Sequence, residues 1–280
     1  MYLIWVVILI LLSLLILYSD TRISTRDDWN LKENGFIIIK DTLNDDEIDN
    51  LKLLCLANDY INVKDYLHKH GKIQKLIRGY TDESYEFQDY IWIIKKSSVH
   101  TCHRDNNGDF FNKGQKYPSY TMLIYLEDMD NSLDVIDKSH KVENKNAFDF
   151  NISNPLTKLG CKSGDIVLFN ANLIHVGTIN EKDDNLRIQM KVTHKDDREI
   201  LNYYEDYNKV LNKDNKIPRW IRKIQKHVSC MVPSLSDKVQ NVNIKSARGS
   251  DNGARIGLGQ KVFSSLYYGD SSFYDLPNAF

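Results

Sequence analysis

Residues 1–18 are apolar except for Ser13. Wound as a helix at about 1.5 Å per residue, such a run just spans a bilayer core of about 30 Å, so the pattern predicts a membrane anchor over residues 1–19. A cleavable leader needs a basic start and a small-residue cleavage site, and the segment has neither. Residues 20–33 are polar and mixed in charge and read as a linker. The run Phe36-Ile37-Ile38-Ile39 after Gly35 then reads as a strand. A helix follows, with Asn44 as N-cap, Asp45, Asp46 and Glu47 at the positive end of its dipole, and Ile48, Leu51, Leu54 and Cys55 on one face. The stretch holding His68 and His70 reads as a solvated loop, because Lys69 and Lys72 beside the histidines would repel a dication.

Further along, the period shortens to that of strands. Residues 88–96 are aromatic and β-branched and end in Lys95-Lys96, while 119–126 is almost continuously apolar, as a central strand covered on both faces is. Gly164-Asp165 opens an apolar run of strand length, and Asn185 to Val192 alternates polar and apolar strictly. Strands separated by turns, with helices gathered at both ends, predict a mainly β fold with flanking helices, a double-stranded β-helix or jelly roll over residues 34–198. Residues 199–235 read as covering helices. The second begins at Pro218, with Ile217, Ile221, Ile224 and Val228 as an apolar stripe and Arg219, Arg222, Lys223 and Lys226 as a basic face in water. Residues 236–280 mix Gly, Ser and Asn with isolated aromatics and are expected to be poorly ordered.

A chain of 280 residues can bury one substantial core, and a net charge of -1 with a pI near 6.7 provides no global attraction to nucleic acid. Cys55, Cys102, Cys161 and Cys230 are widely spaced and lack a Cys-x-x-Cys pair, which fits reduced thiols. Arg22, Arg26 and Lys32 follow the apolar segment and no Lys or Arg precedes it, so the positive-inside rule places the large domain in the cytosol.

The chemistry concentrates at His103-Arg104-Asp105. On an extended chain successive side chains alternate, so His103 and Asp105 project the same way and Arg104 points away. By the same alternation Cys102 and His103 face opposite sides, which removes them as a nucleophile and base pair. An imidazole and a carboxylate are two ligands of a facial triad that holds Fe(II) and leaves positions open. His175, after the Gly-Asp turn and its apolar strand, is the candidate third, and Arg187 heads the polar face of the next strand.

These features resemble the Fe(II)- and 2-oxoglutarate-dependent dioxygenases, in particular their phytanoyl-CoA dioxygenase-like branch. Glu33 to Lys40 is similar to that branch's opening strand. Ser132 to His140 is similar to its turn ending in Pro-Gly-Ser-His, with Asp137-Lys138 in place of Pro-Gly. The likeness covers residues 34–194. It implies that His103, Asp105 and His175 ligate iron, that Arg187 binds the far carboxylate of 2-oxoglutarate, and that Lys95 or Lys96 helps hold this cosubstrate. It further implies use of O2, ascorbate as an accessory reductant, and release of succinate and CO2. Related halogenases have a small residue at the position of Asp105, so hydroxylation is the expected outcome, on a small-molecule or lipid-like substrate or a protein side chain. Two other readings stand beside it: an inactive jelly-roll binding module, and a cupin-type metalloenzyme that needs no 2-oxoglutarate. For Arg187 the alternative is a solvated row shared with Gln189 and Lys191. His140 reads as structural, fixing its turn.

Overall fold

The computed structural model of the chain describes residues 28–96, 101–105, 115–141, 156–177, 184–198, 212, 217–231 and 262. The apolar segment 1–18, the first of the expected covering helices and nearly all of the expected tail lie outside them. Among the described residues no helix is long and apolar enough to cross a membrane.

Among the described residues nine strands form two antiparallel sheets. The major sheet contains β1 (Phe36–Ile39), β7 (Ile166–Asn170), β4 (Tyr120–Tyr125), β9 (Asp184–His194) and β2 (Tyr85–Phe87) in that order, and β3 (Trp92–Lys96) also pairs with β9. The minor sheet is β6 (Thr157–Cys161), β5 (Met129–Val135) and β8 (His175–Gly177). The period of two along β4 and β9 sorts their side chains. Met122, Ile124, Ile188, Met190 and Val192 face out and pack beneath helices through Leu51, Val63, Leu67 and Ile73. Leu123 and Tyr125 face in, with Val167 and Phe169, against Leu133, Val135 and Leu159 of the minor sheet. The mainly β architecture with flanking helices is the one expected.

After the short α1 (Leu31–Asn34), α2 (Asp45–Leu56) begins as its sequence predicts: Asn44 and Glu47 form a reciprocal capping box, and Ile48, Leu51 and Cys55 are buried. The solvated loop expected around His68 and His70 is instead helical. His68 lies in α3 (Tyr60–Lys69), and His70 caps α4 (Gly71–Tyr80), its Nδ1 accepting from the Ile73 amide while Nε2 meets Glu47 at 2.7 Å. The driving force is apolar: Val63 and Leu67, then Ile73 and Ile77, recur at helical spacing and are buried, which outweighs the local charge.

Two glycines have positive φ where the chain passes close to a neighbour. At Gly164 (φ 90°) a Cβ would lie 2.8 Å from the Leu43 carbonyl, and at Gly35 (φ 87°) it would collide with His140 and Leu173. Lys138 also takes a positive φ, 63°, where the resembled turn carries glycine. Asn34 steadies that turn by donating from Nδ2 to Asp137 and accepting the Lys138 amide on its carbonyl. His140, expected to fix its own turn, instead brings Nε2 to the Lys32 carbonyl at 3.2 Å.

The last described helix, α5 (Arg219–Met231), departs from expectation in two ways. Its basic face is not wholly in water, because Arg222 is buried and Lys226 forms an ion pair with the buried Asp134 of β5. Its Cys230 is disulfide-bonded to Cys102, with Cα atoms 5.0 Å apart. The reading of four reduced thiols is therefore corrected: Cys55 and Cys161 are free, Cys102 and Cys230 are not. The bond forms because α5 docks on the segment just before His103, where Ser229 Oγ also accepts the Cys102 amide at 2.9 Å.

Candidate metal centre

His103 and His175 stand directly opposite each other in an antiparallel bridge, each backbone amide donating to the other's carbonyl at 2.9 Å. Opposed residues in such a pair share a face, so both imidazoles project together, their ring centroids 4.4 Å apart. The segment 101–105 is otherwise irregular, yet the alternation expected of it holds. Arg104 turns to the other side, is buried, and donates from Nε to the Asn172 carbonyl at 2.7 Å. Asp105 returns to the histidine side. Its Oδ1 lies 3.5 Å from Nε2 of both His103 and His175.

The hydrogen bonds fix which atoms are free to coordinate. Nδ1 of His103 faces the Thr101 carbonyl at 2.8 Å and Nδ1 of His175 faces the Leu173 carbonyl at 2.9 Å. A carbonyl can only accept, so each Nδ1 carries the proton and each Nε2 presents a lone pair. Burial holds His175 below the ordinary imidazole value, against the pull of the Asp105 carboxylate, which favours the neutral, ligating form. Burial pushes the Asp105 carboxyl up, but its surroundings, the Lys191 ammonium foremost, outweigh this and hold the group well below the usual carboxylate range. The potential ligand atoms of His103, Asp105 and His175 all lie within 4.8 Å of one another, with one donor from each residue. Two neutral nitrogens and one anionic oxygen suit a divalent transition metal such as Fe(II). The residues present thus fit the metal that the sequence implies.

Arg187 lies on the same inner face, four positions before Lys191 on β9. It pairs in register with Tyr125 on one side and Ile94 on the other. It is buried, and its Nη1 donates to the Asn185 carbonyl at 3.1 Å. Among the described residues no carboxylate pairs with its guanidinium. The solvated row is thereby overturned for Arg187 and Lys191 alike: both are buried, Lys191 against Asp105 and Thr121.

Lys95 is not brought to the centre. Its Nζ donates to Asn58 Oδ1 at 2.8 Å, beside the α2–α3 turn on the outer side of the major sheet. Lys96 is half-buried at the end of β3, beyond a register shift that separates it from Ile94. Two residues that sequence reasoning did not assign to the site are in it. Lys191 Nζ lies 2.5 Å from Asp105 Oδ2 and 2.6 Å from Thr121 Oγ1, and Thr121 Oγ1 itself donates to Asp105 Oδ2 at 2.6 Å. The Trp92 ring stands 5.5 Å from the same ammonium.

No protein-family model and no curated protein matches the sequence. Among solved structures the fold is similar to that of the non-heme alpha-ketoglutarate-dependent epimerase SnoN from nogalamycin biosynthesis. That match has 14% identity and a TM-score of 0.51, covering 59% of this chain and 80% of that one. HygX from Streptomyces hygroscopicus, with nickel and 2-oxoglutarate bound, overlaps 62% of this chain and 87% of its own at 18% identity, with a TM-score of 0.47. The likeness to SnoN is one of fold.

Proposed function

We propose that this chain is a membrane-anchored non-haem Fe(II)- and 2-oxoglutarate-dependent dioxygenase that hydroxylates its substrate. One juxtaposition carries the reading: three convergent metal-ligand atoms share the inside of the fold with a buried guanidinium that has no carboxylate partner among the described residues. A buried unpaired charge is strongly disfavoured, so the site is built for an anionic ligand. A keto acid with a second carboxylate satisfies Arg187 and the metal centre together. The fold shared with SnoN is consistent with this.

Iron and 2-oxoglutarate, when bound, supply the oxidising chemistry by splitting O2 as the keto acid loses CO2 and becomes succinate. The chain's own residues position and shield it. His103 and His175 offer neutral nitrogens, with their rings fixed by backbone carbonyls. Asp105 offers one anionic oxygen and occupies the position that a small residue would leave open to a halide, which favours hydroxylation. Arg187 is placed to hold the far carboxylate by a forked pair of hydrogen bonds. Phe169, whose ring is 4.5 Å from that of His175, supplies an apolar wall that keeps water from the centre. A small-molecule or lipid-like substrate suits an enzyme held at a bilayer.

The test uses the full chain in detergent, loaded with Fe(II) without oxygen. Addition of 2-oxoglutarate is expected to produce the visible charge-transfer absorption of a chelated keto acid, and admission of O2 to yield succinate. Iron binding without succinate would make the chain a binding module. Oxidation of substrate without any need for 2-oxoglutarate would make it a cupin-type enzyme.

The apolar residues 1–19 support the anchor. On its orientation the two observations oppose each other: the basic flank favours a cytosolic domain, whereas the Cys102–Cys230 bond favours an oxidising compartment. We give the bond greater weight, because the charge bias rests on three residues, and place the domain on the oxidising side. Alkylation of intact cells before denaturation should leave Cys102 and Cys230 unmodified until a reductant is added. Should both thiols be labelled without reductant, the domain is cytosolic.

A further inference from the structure

We propose that Lys191 and Thr121 clamp one oxygen of Asp105, so that this residue ligates metal through the other oxygen alone. The inference rests on the metal centre proposed above and assigns a task to two residues that do not themselves touch the metal. The two oxygens of Asp105 have different surroundings. Oδ1 faces both imidazole Nε2 atoms at 3.5 Å and accepts no other hydrogen bond among the described residues. Oδ2 lies 2.5 Å from Lys191 Nζ and 2.6 Å from Thr121 Oγ1. Thr121 and Lys191 are cross-strand partners on β4 and β9, both interior strands of the major sheet, and both are almost fully buried. The clamp is therefore mounted on paired strands, with both side chains held in a buried setting.

A free carboxylate can bind a metal with one oxygen or two. The difference matters here, because a metal held by three protein ligands would need its remaining positions for a chelating keto acid and oxygen. A second oxygen from Asp105 would take one. By engaging Oδ2 with an ammonium and a hydroxyl, the protein keeps that position open. Lys191 and Thr121 are thus positioning residues that act through Asp105.

The clamp predicts changes of opposite sign, which a loosened fold would not give. In Lys191→Met, Oδ2 is released to the metal, so Co(II) used as a spectroscopic probe should bind at least as tightly as in wild type. Its d–d absorption should change shape, and 2-oxoglutarate should bind the Fe(II) form at least about tenfold more weakly. Thr121→Val removes one donor at nearly constant volume and should shift both readouts the same way by less. Lys191→Arg keeps a cationic donor and should restore cosubstrate binding in part. Wild-type protein that fails to bind Co(II) or Fe(II) would overturn the metal centre itself. A wild type that binds metal, beside a Lys191→Met variant with unchanged Co(II) spectrum and cosubstrate affinity, would overturn the clamp alone. Loss of metal binding in Lys191→Met with an unaltered Thr121→Val would also overturn it, since Lys191 would then serve only to balance charge.

Discussion

Iron-dependent turnover is expected to disappear in His103→Ala, Asp105→Ala and His175→Ala. Altering a residue that merely supports a ligand lowers metal affinity about 10- to 100-fold, and removing a ligand outright should exceed that. The three variants should nevertheless differ in stability. Loss of either histidine removes packing and one hydrogen bond. Asp105→Ala also strands the Lys191 ammonium in a buried site, and breaking such a pair costs on the order of 3–5 kcal/mol. Anaerobic Fe(II) titration and thermal melts separate these effects: all three variants lose metal, and Asp105→Ala melts lowest. Full Fe(II) affinity in Asp105→Ala would show that the three residues do not form one site.

Arg187 distinguishes a 2-oxoglutarate enzyme from any other user of the same ligands. Lys191 touches Asp105, and Arg187 lies four residues away along the same face, about 13 Å at 3.3 Å per residue. That separation is to be shared between the arginine side chain and a five-carbon keto acid. Truncating one partner of a desolvated, hydrogen-bonded charge pair costs about 2–5 kcal/mol. At about 1.4 kcal/mol per tenfold, Arg187→Ala should weaken 2-oxoglutarate binding by roughly thirtyfold to several thousandfold, with iron affinity unchanged. Arg187→Lys should recover only part of this, because an ammonium cannot reproduce the guanidinium fork. The measurement is a 2-oxoglutarate titration of the anaerobic Fe(II) forms, followed by charge-transfer absorption. Equal affinity in all three proteins would mean that the buried guanidinium does not meet the cosubstrate.

The geometry of the triad was legible because it depends on local rules. Two residues spaced by two on an extended chain can project the same way, and His175, after its turn and apolar strand, was the candidate third that the family resemblance supplied. The capping box at Asn44 and the central position of β4 were equally local. Lys191 was not legible. Strict alternation along β9 assigned it to a polar face, and a polar face reads as solvated unless a second sheet is known to cover it. The missing fact was the partner: a lysine becomes a core residue once Asp105 is known to lie beneath it. The helices carrying His68 and His70 were hidden by lysines on their exposed sides, although the buried pairs Val63 and Leu67, and Ile73 and Ile77, show the helical period. The Cys102–Cys230 bond depends on the docking of α5, which no spacing encodes across a separation of 128 residues.

That same bond makes His103, Asp105, His175, Arg187 and Lys191 members of one covalent ring, since all lie between its two ends. In a chain-entropy picture, closing a loop of this length constrains the unfolded chain by on the order of 5 kcal/mol. The ring also determines how the molecule responds to proteases. A single scission inside it yields two polypeptides that still migrate together on a non-reducing gel, with every proposed ligand attached to the same particle. A scission ahead of residue 28 has a different result. It separates the apolar segment, which lies outside the ring, from a fragment that keeps every proposed ligand, and would release that fragment in one piece if the segment is the anchor proposed above.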